Sequence, residues 1–159
     1  MTVLITDGAK GIGYELACCF SKSASQIVLV DNDENALNAA ASILSKKISV
    51  VTIKKDLSQP QSVDEVVTEL ESQSLVIDVL VNNAGFGVYG NLWETDYSAH
   101  GSLLRLNVMT PTLLSARLLP SMVASNKGGI LNIASMAAFG ASGKASTYYA
   151  SKSLPPFFF

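Results

Sequence analysis

The chain has 159 residues, 48% of them hydrophobic and 15% charged, with a formal net charge of −2. That is one domain's worth of chain with ample apolar material for a core, which excludes a disordered segment. With no basic run beyond the doublets Lys46-Lys47 and Lys54-Lys55, neither nucleic acid nor an anionic membrane is an expected partner.

The two cysteines, Cys18 and Cys19, are adjacent and cannot supply a disulfide framework; with His100 as the single histidine there is no metal-ligand cluster. Met1-Thr2-Val3 is not a basic leader, and no apolar run approaches membrane-spanning length. A reducing cytoplasm is the expected compartment.

Val3 to Ile5 reads as a buried strand. It runs into Thr6-Asp7-Gly8-Ala9-Lys10-Gly11-Ile12-Gly13, after which Tyr14, Leu16, Ala17 and Phe20 recur with helical spacing over about 11–23. Strand, glycine turn and helix aim backbone N–H groups and the positive end of the helix at a phosphate. Glycine serves there because the turn needs unusual φ values and a side chain would hold a diphosphate away.

Apolar strands then alternate with amphipathic helices. Gln26 to Val30 reads as a second strand, Asn35 to about Ser45 as a helix, and Ile48 to Ile53 as a third strand. Pro60 is expected to open a helix with Val63, Val66, Val67 and Leu70 on one face. Ile77 to Val81 forms a fourth strand leading into Asn82-Asn83-Ala84-Gly85; a helical stretch of roughly 94–125 follows, then a fifth strand from Gly129 to Ala134. Continuously apolar strands linked by helices imply a parallel sheet covered on both faces. A last helix starting near Ala145 should end after about two turns, because Pro155 pushes Leu154 out of helical geometry. Residues 1–153 are read as one domain and 154–159, ending Pro155-Pro156-Phe157-Phe158-Phe159, as an aberrant tail.

Tyr148 and Lys152 are four apart on that helix and share a face. Tyrosine is a poor acid or base at neutral pH, and an ammonium beside it favours the phenolate. Ser135 lies just past the fifth strand, at the end of an open α/β sheet where ligands bind, and its hydroxyl can hydrogen-bond a substrate carbonyl. Asn107 stands four residues before Pro111, which has no N–H to give it. Either the Asn107 carbonyl is thereby freed for another partner such as a water, or the proline only kinks a helix around the core.

Thr6–Gly13, Asn82–Gly85, Asn107, Ser135, and Tyr148 with Lys152 resemble the short-chain dehydrogenase/reductase family in order and spacing, including the thirteen-residue step from Ser135 to Tyr148. The resemblance runs from Thr2 to about Ser153. It implies a Rossmann-like doubly wound α/β fold with a parallel sheet ordered 3-2-1-4-5, and a nicotinamide-dependent oxidoreductase that interconverts an alcohol and a carbonyl compound. By the same resemblance Tyr148 is the general acid/base, Lys152 tunes it and holds the nicotinamide ribose, Ser135 orients the substrate carbonyl, and Asn107 holds a water linking Lys152 to solvent. Gly8, Gly11, Ile12 and Gly13 would line the pyrophosphate, Asn83, Ala84 and Gly85 would close over the cofactor, and Asp56-Leu57 would meet adenine.

Cofactor choice rests on Asp31, which ends the second strand 18 residues past Gly13, where a carboxylate accepts from both ribose hydroxyls and repels a 2′-phosphate. Lys10 pulls toward NADP in this family; Asp31 discriminates more directly, so NAD is expected over NADP. The chain departs from the family at Asp7, where the pattern has glycine and Gly8 comes one place late. Members usually continue past this point with two further strands, the substrate cover and much of a homo-oligomer interface. A chain lacking them is expected to be truncated, with an apolar edge at Ile130-Leu131-Asn132-Ile133 that invites self-association or instability. Alternative readings are an inactive nucleotide-binding fragment or an interaction module. Trp93, Phe86 and Tyr89 line a substrate cleft or pack a lid, and His100 is a surface or packing residue.

Overall fold

A computed structural model describes residues 1–154; the expectations for Pro155 to Phe159 lie outside the described residues. Five parallel strands form one sheet in the order β3-β2-β1-β4-β5. They are β1 (Thr2–Thr6), β2 (Gln26–Asp31), β3 (Ser49–Lys54), β4 (Val79–Asn82) and β5 (Gly129–Asn132). Register follows the apolar runs: Leu4 lies between Val28 and Leu80, and Ile5 between Leu29 and Val81.

Because strand side chains alternate, each central strand feeds two cores. Leu4, Val28, Val30 and Leu80 face α3 (Ser62–Ser72) and α5 (Thr110–Ser125), packing with Val66, Leu70, Leu114 and Leu118. Val3, Ile5, Ile27, Leu29 and Val81 point the other way, toward α1 (Gly11–Phe20) and α2 (Glu34–Leu44), where Ala17, Leu37, Ala40 and Leu44 meet them. The doubly wound arrangement follows from strands apolar on both sides.

The 94–125 stretch is not one helix. It is α4 (Tyr97–Leu104), a π-helical turn (Arg105–Met109) and α5. Pro111 withholds the N–H that would close the turn on Asn107, and the backbone widens, with the Thr110 N–H reaching the Arg105 carbonyl. Pro60 does not open α3 either: Gln61 takes left-handed geometry (φ 61°) between them, and the helix starts at Ser62. α1 stops at Phe20, and residues 21–23 form a turn whose N–H groups bond the Ala17, Cys19 and Phe20 carbonyls. β5 ends at Asn132; Ser135 caps a short 3₁₀ turn (Met136–Phe139), and α6 (Ser146–Lys152) carries Tyr148 and Lys152. Among the described residues β5 is an edge strand, and no helix is long and apolar enough to cross a membrane.

Candidate active site

The C-terminal ends of β1, β2 and β4 open onto a cavity of about 350 Å³. Of the residues singled out from the sequence, it is lined by Lys10, Asp31, Asp56, Leu57, Ala84 and Gly85, together with Asp7. Gly11 and Ile12 lie exposed at the start of α1, beside the cavity rather than in its wall, whereas Gly8 and Gly13 are buried.

The glycines divide their work. Gly11 takes φ +55° in the turn, with open space where a side chain would be. Gly13 brings α1 onto the end of β1: a Cβ there would run into the Asp7 carbonyl and lie 2.7 Å from Asn83 Nδ2. Lys10 occupies the N-cap of α1 but makes no side-chain cap, so the first N–H groups of the helix keep their donors for a ligand. A donor set of this kind, next to a roomy cavity ending at a carboxylate on β2, fits a dinucleotide.

Asn83 holds β4 to this turn. Its Nδ2 donates to the carbonyl oxygens of Thr6 (3.1 Å) and Asp7 (3.0 Å), while the Thr6 hydroxyl accepts from the backbone N–H groups of Asn83 and Ala84. Asp31 is buried and accepts from the N–H groups of Ala9 (3.2 Å) and Asp33 (3.0 Å). Lys10 is exposed and paired with Asp33 at 3.2 Å. Asp56 spends its carboxylate on a local turn, accepting from the Ser58 N–H, the Ser58 hydroxyl and Gln59 Nε2.

Asp7 is the unexpected member. It sits at φ 50° with its carboxyl half-buried and hydrogen-bonded to Asp31; burial first, then the Asp31 charge, push its pKa from 3.8 up to about 6. A carboxyl whose folded pKa is raised stabilises the fold fully below its unfolded pKa and loses that contribution as pH rises through the folded one. Asp7→Asn should therefore be more stable than the parent at pH 7.5, by about 1 kcal/mol after allowing for solvent screening of a half-exposed group. The advantage should shrink as pH falls below about 6. Urea unfolding at both pH values checks this; a gap independent of pH would mean that the carboxyl pair does not form.

The second cluster gathers around α6. Lys152 is buried, and its Nζ donates to the Ile133 carbonyl at 3.2 Å. Among the described residues no carboxylate pairs with it, and burial lowers its pKa. Gly85 makes room for it: a Cβ there would lie 3.0 Å from Lys152 Nζ. Asn107, on the π-helical turn, is buried and works through its side chain. Its Oδ1 accepts from the Phe86 N–H (3.1 Å); its Nδ2 donates to the Phe86 carbonyl (2.9 Å) and to the Ser151 hydroxyl (2.9 Å), which in turn donates to the Tyr148 carbonyl (2.7 Å). The loop after β4 is thereby tied to the helix that bears Tyr148.

Asn107, Thr110, Asn132 and Lys152 surround a further cavity of about 10 Å³, into which Asn82 also looks. Asn82 Oδ1 is buried there without a partner in the described structure. Ser135 and Tyr148 line neither cavity. The Ser135 hydroxyl accepts from the Ala137 N–H at 3.1 Å, and the Tyr148 ring lies 6.2 Å from that of Tyr89, centre to centre. His100 is bonded to Thr95, and Trp93 is 82% exposed. The sequence reading did not find Ser151, Lys55 or the side-chain role of Asn107; nothing local in the chain marks a contact spanning 44 residues.

A parallel sheet in this order, with a glycine turn and an uncapped helix at the end of its first strand, defines a dinucleotide-binding α/β domain of the Rossmann class. The chain belongs to the short chain dehydrogenase family, whose model matches residues 1–154. It is 30% identical to an uncharacterised oxidoreductase of Staphylococcus saprophyticus, with 94% of this chain and 64% of that protein covered. Among solved structures, the bulky-bulky ketone specific alcohol dehydrogenase from Comamonas testosteroni superposes with a TM-score of 0.90 at 32% identity, over 98% of this chain and 63% of that one. A short-chain dehydrogenase from Sphingobium yanoikuyae in complex with NADPH gives 0.89, also at 32% identity, over 98% and 61%. The chain thus spans less than two thirds of the length of these relatives.

Proposed function

We propose that this chain supplies the cofactor-binding and proton-transfer part of an oxidoreductase that interconverts an alcohol and a carbonyl compound. The observation that carries the reading is Lys152, a buried ammonium without a carboxylate partner among the described residues, one helical turn from Tyr148 and seated against Gly85. Burying a cation unpaired is costly, and structural economy alone would have selected an apolar side chain there.

A nicotinamide bound at this end of the sheet would accept or give the hydride. Tyr148 then exchanges a proton with the substrate oxygen. Ser135 can orient that oxygen, because its own lone pair already holds the Ala137 N–H and its hydrogen is left to donate. Asn107 anchors α6 through Ser151 and so holds Tyr148 and Lys152 in place. The polar cavity beside Lys152 and Asn107 is about the size of one water, and the unpaired Asn82 oxygen supports a water there that connects Lys152 to solvent.

Asp31 at the cavity wall and the pairing of Lys10 with Asp33 together favour NAD over NADP. NADH is expected to bind more tightly than NADPH, and Asp31→Ala should narrow or reverse the gap; equal affinities in the unmodified chain would overturn the preference. Fluorescence titration with NADH, followed by assay against a panel of ketones and alcohols, tests the function as a whole. Absence of saturable binding would reject the reading. A second reading, a nucleotide-binding chain without turnover, is favoured by the partial span of the relatives. Binding with no activity above a Tyr148→Phe control would support it.

A further inference from the structure

We infer that Asp7 makes cofactor binding proton-linked: the chain holds the dinucleotide with Asp7 protonated and hydrogen-bonded to Asp31, and takes up a proton from solvent on binding at neutral or higher pH. This rests on the nicotinamide-binding reading above and concerns its regulation.

The geometry begins with the turn. Left-handed backbone at Asp7 places its carboxyl at the cavity, in hydrogen-bond contact with that of Asp31 across the gap between β1 and β2. Two carboxyls bond each other only when one carries a proton. Asp31 already accepts two backbone N–H groups, an arrangement that favours its ionised form, so the proton belongs to Asp7.

The charged neighbours do not cancel this pair. Lys10, on the same turn, lowers the Asp7 pKa only as the smallest contribution, and its ammonium is bonded to Asp33, before α2. Lys55 and Asp56, after β3, line the same cavity with opposite signs, and the Lys55 ammonium is paired with Glu65. From the end of β4 come Asn83, Ala84 and Gly85, none of which titrates, and Asn83 donates only to the Asp7 carbonyl. An anionic diphosphate entering this cavity adds negative charge and makes a second ionised carboxylate still less favourable. Free Asp7 titrates at about 6 and should titrate higher with cofactor bound, so binding draws in a proton across the window between the two values. By linkage, affinity must fall as pH rises through that window.

Isothermal titration calorimetry with NAD at pH 6 and pH 8, at constant salt and in two buffers of different ionisation enthalpy, reads both the affinity and the protons taken up. The unmodified chain should bind roughly tenfold more tightly at pH 6, with net proton uptake at pH 7.5. Asp7→Asn should bind with similar affinity at both pH values and take up no proton at this site; Asp7→Gly, which suits the left-handed φ, serves as a second variant should the first fail to fold. Binding by the unmodified chain that is independent of pH, or a pH dependence that survives in Asp7→Asn, overturns the inference and leaves the cofactor site standing. No binding by any chain at either pH overturns both.

Discussion

Tyr148→Phe is expected to lower turnover by about 10²–10⁴-fold, the usual contribution of a positioned acid or base, while leaving NADH affinity nearly unchanged. The side chain differs from phenylalanine by the one atom that can carry a proton, and its ring packing against Tyr89 and Tyr149 survives the change. Tyr149→Phe is the matched control. It sits on the same helix with its ring edge-on to Tyr148 and should change turnover by less than about threefold if it only packs. Steady-state rates on any ketone that the unmodified chain reduces, with NADH binding measured alongside, decide the matter. Equal losses in the two variants would mean that the aromatic cluster, rather than the Tyr148 hydroxyl, supports the reaction.

Gly13→Ala should have the largest effect on stability. The added methyl runs into the Asp7 carbonyl, which is backbone and cannot swing away, and into the Asn83 amide, which is fixed by two hydrogen bonds of its own. Relief requires α1 to move off the end of β1. Overpacking of this kind costs about 3 kcal/mol, and more where backbone is the obstacle. Gly11→Ala provides the comparison, since its site is open and the penalty is only that of left-handed geometry, about 1–2 kcal/mol. Urea unfolding of both variants checks the order. Gly13→Ala within about 0.5 kcal/mol of the parent would show that the helix can slide without cost, and that the close approach is not what the glycine is for.

Cofactor affinity should fall with the same change. The N–H groups at the start of α1 are aimed by the contact between Gly13 and the turn, so moving the helix misdirects them. Loss of stability and loss of NADH binding are therefore expected together in Gly13→Ala, and separately in Tyr148→Phe and Asp7→Asn.

Much of the architecture was written in local pattern. Val3 to Ile5, Gln26 to Val30 and the Val-Leu-Val run of β4 are apolar without alternation, and only a strand covered on both faces uses such a run, so the layered α/β fold followed from the residues themselves. The glycine turn, the tyrosine and lysine one turn apart, and Asp31 at a strand end were likewise legible, because each depends on spacings within a single strand–turn–helix unit. The sheet order came from resemblance, and the structure bears it out.

Other features belong to tertiary structure alone. Whether Pro111 would kink a helix or free a carbonyl was undecidable along the chain; in the fold it accompanies a π-helical turn that carries Asn107 inward, where its amide bridges Phe86 and Ser151. The side chain of Asp56 could have faced a ligand, but Ser58 and Gln59 claim its oxygens first. Asp7 and Asp31 are 24 residues apart and meet only because β1 and β2 pair in parallel register and end side by side. Spacing within one element is a property of backbone geometry, which the residue order dictates directly. Contacts between the ends of different strands, with the charges they bring together, depend on how the whole sheet assembles, and no local signal carries that information.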